Sequence, residues 1–302
     1  MLRGKFGLND VLGLHGEKNR KDHRHHAVDA CVIGVTDQGL LQRFASASAS
    51  AREHQLDRLV AKMPMPWGTD QDRRYFLSVQ RAIERIWVSH KPDHGYEGAM
   101  HEDTAWGIRS DGQSTRRVRG EDGLRHRETK NRAVIPIRSS RDPARHGFDE
   151  TGQAKAYKGY VGGSNYCIEI IRTEGGKWEG EIISTYTAYQ VIREFGASQG
   201  LSKLRSPKIS LSGKPLVMRL QNGDLVRLES DNGLQTMRVI KMGSNGQIFF
   251  ASHQEANVDA RNSQKDDPFV YVSKYAGSLK KVQGRRVTLS PIGQLRDPGF
   301  QG

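Results

Sequence analysis

The sequence predicts an α+β fold, with helices in the first third of the chain and antiparallel sheet after it. Three observations point there. Apolar residues recur at helical spacing between Leu40 and Ile86. From Tyr157 onward, short runs alternate between apolar and polar residues. Late in the chain, Asn222-Gly223, Asn232-Gly233 and Asn245-Gly246 each stand between such runs, and Asn-Gly favours the tight turns that join antiparallel strands.

The first predicted element is a helix built on Asp22-His-Arg-His-His-Ala-Val-Asp29 and running into Ala30-Cys-Val-Ile-Gly-Val35. Asp22 is expected to cap its start, and no breaker follows until Gly34. His25 and His26 precede Asp29 by four and three positions, so the three side chains project towards one region. A carboxylate and an imidazole at the polar edge of a core helix suit metal-assisted hydrolysis, with Asp29 ligating the ion and His26 handling a proton. The same pair also occurs where the polar end of a core helix is simply solvated, and spacing alone leaves both readings open.

A second helix is expected from Leu40 to Met63, packing through Leu41, Phe44, Leu56, Leu59 and Val60, and Pro64-Met-Pro-Trp67 ends it. A third carries Phe76, Val79, Ile83 and Ile86, and the pattern stays helical to about residue 110. The Ala45-Ser-Ala-Ser-Ala-Ser50 repeat suggests no function. Between about 111 and 147, nine arginines from Arg116 to Arg145 stand among polar residues with little apolar periodicity. This reads as a loop or linker, either solvated or following a phosphate backbone.

Strands are predicted at Tyr157–Val161, Tyr166–Ile171 and Trp178–Ile183, then at Leu216–Leu220, Leu225–Leu228, Met237–Ile240 and Gln247–Phe250. The last four are the runs that the Asn-Gly pairs separate.

A formal net charge of +13 over 302 residues makes nucleic acid the first partner to consider, since neutralising phosphates releases counterions and supplies affinity without reading sequence. A generally basic surface would show the same balance. No apolar run approaches the roughly 20 residues needed to cross a bilayer. The amino terminus lacks the pattern of a signal peptide. Cys31 and Cys167 lie far apart, with no pair at metal-ligand spacing. A soluble protein in a reducing, cytoplasmic setting is expected, with neither disulfide nor structural zinc.

The stretch Asp22-His-Arg-His-His-Ala-Val-Asp-Ala30 resembles the third RuvC segment of the RNA-guided CRISPR nucleases of the Cas-nine family, above all the compact type II-C members. Further likenesses follow the same order along the chain: Phe6-Gly-Leu-Asn-Asp-Val-Leu-Gly13, Glu17-Lys-Asn-Arg-Lys-Asp22, Val88-Ser-His-Lys-Pro92, Gly98-Ala-Met-His-Glu-Asp-Thr104, Lys155-Ala-Tyr-Lys158, and Arg285-Arg-Val-Thr-Leu-Ser-Pro-Ile-Gly293. Several colinear motifs are far more specific than any one of them.

The resemblance implies an incomplete RNase H-like (RuvC) portion over 1–110, a basic linker and wedge domain over 111–205, and a β-rich PAM-interacting domain over 206–302. It implies a CRISPR DNA endonuclease part whose partners are guide RNA (crRNA with tracrRNA) and target double-stranded DNA bearing a short flanking motif. His26 and Asp29 become catalytic and metal-binding residues, with Mg2+ or Mn2+ held only in a complete RuvC site. His25 would orient or pack. Bases of the flanking motif would be read by His253, Gln254, Glu255 and Asn257, with Arg261 available to guanine. Phosphates would be met by Lys280, Lys281, Arg285 and Arg286, and by Arg296; Lys155, Lys158 and Lys177 would serve in the same way.

The resemblance also implies that something is missing. The family's RuvC site resembles a two-metal centre assembled from three separated segments, and only the third is found here. Met1 is therefore expected to start in the middle of a domain, with an upstream nuclease lobe as a further partner. A centre with two ions about 4 Å apart needs several anionic ligands, so Asp29 and one imidazole are half a site, not catalytic alone. The alternative is a stand-alone RNA- and DNA-binding module without nuclease activity. A third reading is an unrelated metal hydrolase using His23, His25, His26 and Asp29.

Overall fold

A computed structural model describes residues 2–13, 16–49, 53–90, 101–108, 114–130, 135–138, 147–148, 152, 155–231, 233–264 and 271–302. The sequence-predicted positions Pro92, Gly98-Ala-Met100, Arg132, Arg141, Arg145 and Asn232 lie outside the described residues, as do the side chains of Phe44 and Leu56.

The helical part comprises α1 (Leu2–Lys5), a 3-10 turn (Asp10–Leu12), α2 (His25–Gly34), α3 (Gln38–Ala49), α4 (Glu53–Lys62) and α5 (Arg74–Glu84). Helix α5 presents Tyr75, Phe76, Val79 and Ile83 at three- and four-residue spacing, and these close on Phe6, Leu8 and Val28 in a small core. The Tyr75 hydroxyl donates to the Cys31 carbonyl at 2.7 Å, which fastens α5 to α2. Two sequence expectations are corrected here. The single helix from Leu40 to Met63 is two, α3 and α4. Asp22 does not cap α2, because Arg24 occupies the cap position; Asp22 instead accepts the Arg24 N–H at 2.8 Å in a turn just before the helix.

Much of the described part of the arginine-rich stretch, read as a loop or linker, is strand. Strands β1 (His101–Ile108), β2 (Ser114–Arg119), β3 (Arg125–Lys130), β4 (Ile135–Arg138) and β5 (Ala156–Gly162) form one sheet in the order β3-β2-β1-β5-β4. Residues 101–108, read as the end of the helical zone, are therefore strand. Arg116 sits directly opposite Glu128, and their side chains pair at 2.7 Å, while its guanidinium lies 4.9 Å from the buried ring of Trp106. The strand thus draws its apolar contact from β1, outside the polar window that the sequence pattern measures.

Strands β6 (Asn165–Arg172), β7 (Trp178–Ser184) and β8 (Leu216–Leu220) make a three-stranded sheet in the order β7-β6-β8. Between β7 and β8 runs α6 (Thr185–Leu204), which the sequence reading missed. Ser184 caps it by accepting the Thr187 N–H at 3.0 Å, and Gly196, at φ 75°, breaks it into two helical pieces. A six-stranded sheet follows, from β9 (Leu225–Ser230), β10 (Gly233–Met242), β11 (Ile248–Ser252), β12 (Val272–Lys274), β13 (Arg285–Leu289) and β14 (Leu295–Arg296), ordered β12-β11-β10-β9-β13-β14. Short helices α7 (Val258–Ser263) and α8 (Ala276–Lys281) flank it.

Hairpins close at residues 230–233 and around Asn245-Gly246, as the turn residues predict. Asn222-Gly223 closes none, because β8 pairs with β6 and β9 with β10 and β13. The two sheets share one core: Ile168, Ile170 and Trp178 pack with Leu220, Val226, Val239, Ile248, Phe250 and Leu279. At the start of β6, where the register with β7 is irregular, Tyr166 and Cys167 pack with Ile183 and with Ala188 and Leu204 of α6. Sheet and core thus run across position 206. Among the described residues, no helix is long and apolar enough to cross a membrane.

Candidate functional site

Helix α2 sets the first candidate site. Asp29 is partly exposed, and both its oxygens are engaged: Arg3 donates to Oδ1 at 2.9 Å, and Lys18 donates to Oδ2. Burial opposes its charge, but the hydrogen bonds from Lys18 and Arg3 outweigh that and hold the carboxyl below its ordinary range. Arg3 is itself buried, and its Nε and Nη2 have no partner among the described residues. His26 is exposed at the start of the helix, its ring 3.9 Å from that of His25. His25 is anchored, with Nδ1 2.6 Å from the Asp22 carbonyl. The hydrogen bonds of Asp29 thus go to cations and not to a histidine.

These residues do not make a magnesium site by themselves. Among the described residues there is no group of three or more His, Cys, Asp or Glu placed to hold a metal ion, and the one carboxylate on α2 is already neutralised. The four-ligand hydrolase set of His23, His25, His26 and Asp29 is likewise not assembled: His23 turns to His90, ring centroids 5.2 Å apart.

The second candidate site lies where the helical part meets the six-stranded sheet. The backbone of Asp22 bridges that of Glu255, His23 N–H donates to the Gln254 carbonyl at 2.9 Å, and Ala256 N–H donates to the Lys21 carbonyl at 2.8 Å. Asp22 and Arg24 form an ion pair whose side chains are 10% and 15% exposed, so the bridge is closed by buried charge. On the same boundary Val88 N–H donates to His253 Nδ1 at 3.1 Å, the His90 Nε2 sits 2.9 Å from the His253 carbonyl, and Arg238 reaches both His90 Nδ1 (2.6 Å) and the Glu255 carbonyl (3.0 Å).

This geometry sorts the predicted base readers. His253 is buried, and burial first, then the nearby Arg24 guanidinium, pushes its imidazole down to about 4, so a neutral ring is packed inside the boundary. Glu255 is bound by Arg261, which removes both from the set of free donors and acceptors that the sequence reading assigned to them. Gln254 is half-buried and lines a groove of about 560 Å3 together with Arg24, Trp87, Gln235 and Ser252. Asn257 is exposed, in the left-handed backbone region at φ 50°, at the start of α7.

The basic residues also divide. Arg285 is held by Asp297 at 2.6 and 2.9 Å, Arg286 pairs with Asp224 at 2.8 Å, and Lys280 donates to the Gly176 carbonyl at 2.7 Å. The hydrogen bonds from Arg285 push Asp297 well below the ordinary carboxylate range. Lys281 is exposed and makes no ion pair among the described residues. The sequence reading missed Arg3, Lys18, Arg24 and Arg238. The available signal was membership in the quoted stretches: Lys18 in Glu17–Asp22, Arg24 in Asp22–Ala30 and His90 in Val88–Pro92.

Residues 8–93 match the family RuvC endonuclease subdomain 3, a span that contains His26 and Asp29. No curated protein matches the sequence. Among solved structures the chain is similar to the type II-C Cas9 enzyme from Actinomyces naeslundii, with 14% identity and a TM-score of 0.50 over 98% of this chain and 43% of that one. It is also similar to Corynebacterium diphtheriae Cas9 in complex with sgRNA and target DNA, with 14% identity and a TM-score of 0.51 over 96% of this chain and 42% of that one. The chain therefore has the fold of part of a type II Cas9, consistent with its carboxy-terminal portion, and spans less than half the length of these two proteins.

Proposed function

We propose that this chain is the carboxy-terminal part of a CRISPR RNA-guided DNA endonuclease, contributing to a RuvC nuclease centre and to the binding of guide RNA and target DNA. The RuvC subdomain 3 match over residues 8–93 carries this reading. Asp29 and His26 are this chain's share of the centre, which requires further carboxylates beside them. Within the chain, Arg3 and Lys18 hold Asp29 ionised, and His26 is left at the surface, where it can exchange a proton with a substrate. The net charge of +13 supports a polyanionic partner.

The flanking-motif reader is assigned to Gln254 and Asn257, the two side chains of the loop that its internal contacts leave available. Either amide can pair bidentately with adenine. His253, Glu255 and Arg261 then serve to hold that loop against the nuclease segment.

The ion pairs on Asp29 favour a second reading, a stand-alone RNA- and DNA-binding module without nuclease activity. Supplying RuvC segments that carry the other carboxylates separates the two. Magnesium-dependent cleavage of a guide-matched duplex, lost in Asp29→Asn, supports the first. Binding of guide RNA and duplex with no cleavage supports the second. Failure to bind either nucleic acid at low salt overturns both.

A further inference from the structure

We propose that the chain carries a separate pocket for an unpaired nucleotide, with the base at Tyr275 and the phosphates at Lys177 and Lys281. The inference rests on the nucleic-acid-binding part of the reading above and on neither its nuclease nor its flank-reading part. The pocket is a cavity of about 830 Å3 between the turn that joins β6 to β7 and the helix α8, within the 300–1,000 Å3 typical of small-ligand sites.

Its lining selects an anion. Lys177, Lys280 and Lys281 face one carboxylate, Glu179. Lys280 is committed to the frame, since its ammonium donates to the Gly176 carbonyl at 2.7 Å and thereby ties α8 to the turn. Lys177 and Lys281 are exposed, and neither side chain has a partner among the described residues.

The lining also selects a flat aromatic ring. Tyr275 is 49% exposed in the wall of the cavity, and its hydroxyl accepts from Asn245 Nδ2 at 3.4 Å. Trp178 lines the same cavity, while its indole is packed in the core shared by the two sheets, beside the ring of Phe300. Gly175 and Gly176 have nothing within 4 Å of where a Cβ would stand, so the turn leaves the cavity open. An exposed aromatic platform and two ammonium groups without partners among the described residues, in one open cavity, together fit a base with its flanking phosphates. A paired duplex would keep its bases stacked out of reach.

The test uses the whole chain and fluorescence anisotropy with four probes: one hairpin fully paired and the same hairpin with a single bulged nucleotide, each as RNA and as DNA. The bulged form should bind about 5- to 150-fold more tightly, the range for one base stacked on an aromatic side chain. Tyr275→Ala should abolish that preference and leave the paired hairpin unaffected, while Tyr275→Phe retains it. Lys177→Ala and Lys281→Ala should each lower the salt slope of bulged-hairpin binding by about one unit. Comparison of the RNA and DNA arms identifies the source of the nucleotide. Equal binding of bulged and paired probes, unchanged in Tyr275→Ala, overturns the pocket alone; no binding of any probe overturns the nucleic-acid reading with it.

Discussion

Asp22 and Glu255 meet as an antiparallel backbone bridge, which makes the approach to the histidine–aspartate helix and the loop bearing Gln254 and Asn257 parts of one folded boundary. A change at either end is therefore felt at the other. The Asp22 carboxylate sits at the centre of this boundary, because it pairs with Arg24, and the Arg24 guanidinium lies 3.5 Å from the Ile83 carbonyl at the end of α5.

Asp22→Ala should cost about 3–5 kcal/mol, since it leaves a largely buried guanidinium without its charge partner. Urea unfolding measures the cost, and hydrogen exchange should show the amides of His23 and Ala256 losing protection. A cost below about 1 kcal/mol would mean that Arg24 finds another acceptor.

Acid should loosen the same boundary. His253 stays neutral in the folded chain down to about 4, whereas its ordinary value is 6.5, so the unfolded chain binds the extra proton in between. Stability is thus complete above pH 6.5, falls as the pH drops below it, and levels off near 4. The expected loss is on the order of 1–3 kcal/mol. His90 and His23, both lowered first by burial, with Arg238 adding to the effect, shift in the same direction. Thermal melts between pH 7.5 and 4.5 should show the fall, and His253→Gln should flatten it.

The 302-residue chain should show no metal-dependent DNase activity by itself. Asp29 is the only carboxylate on α2, and both its oxygens are occupied by Arg3 and Lys18. Plasmid incubated with the chain, guide RNA and magnesium should remain supercoiled. Robust nicking that disappears in Asp29→Ala would instead revive an independent hydrolase.

Base reading and phosphate binding should separate at Asn257 and Lys281. Asn257 occupies left-handed backbone, so Asn257→Asp is a better probe than alanine: it tolerates the conformation and removes the amide donor. It should relax preference at one flanking position by about 1–3 kcal/mol. Lys281→Ala should weaken binding to every flanking sequence alike and lower the salt slope by about one. A randomised flanking library read at two salt concentrations distinguishes them. An unchanged preference in Asn257→Asp would move the reader elsewhere.

Much of the fold was legible where contacts are local. The spacing of Phe76, Val79 and Ile83 marked α5, and alternation marked β5 through β11. What the sequence hid is non-local. Asn222-Gly223 looks like a hairpin, but β8 finds its partner in β6, on the far side of α6 in the chain. The arginine-rich stretch looks unstructured because its apolar contact, Trp106, comes from another strand. Helix α6 escaped notice because Gly196 interrupts it.

The candidate site was legible in the same uneven way. His26 and Asp29 stand out in the sequence, but Arg3 and Lys18 carry no local mark that they will close on Asp29. Arg285 and Arg286 look like free cations, and only folding brings them to Asp297 and Asp224. His253 looks like a surface polar residue, and only the approach of Val88 and Trp87 buries it.

The pairing of β6 with β8 bears on any attempt to exchange the six-stranded sheet for that of another chain. A graft begun at residue 206 would carry Leu220, Val226 and Phe250 into the host and leave Ile168, Ile170 and Trp178 behind, so donor and recipient would each inherit half of an interlocked interior. A graft begun at Ser164, whose carbonyl accepts the Thr185 N–H at 2.9 Å, keeps strand, helix and sheet together and leaves the boundary with residues 21–24 and 87–90 to be matched in the host.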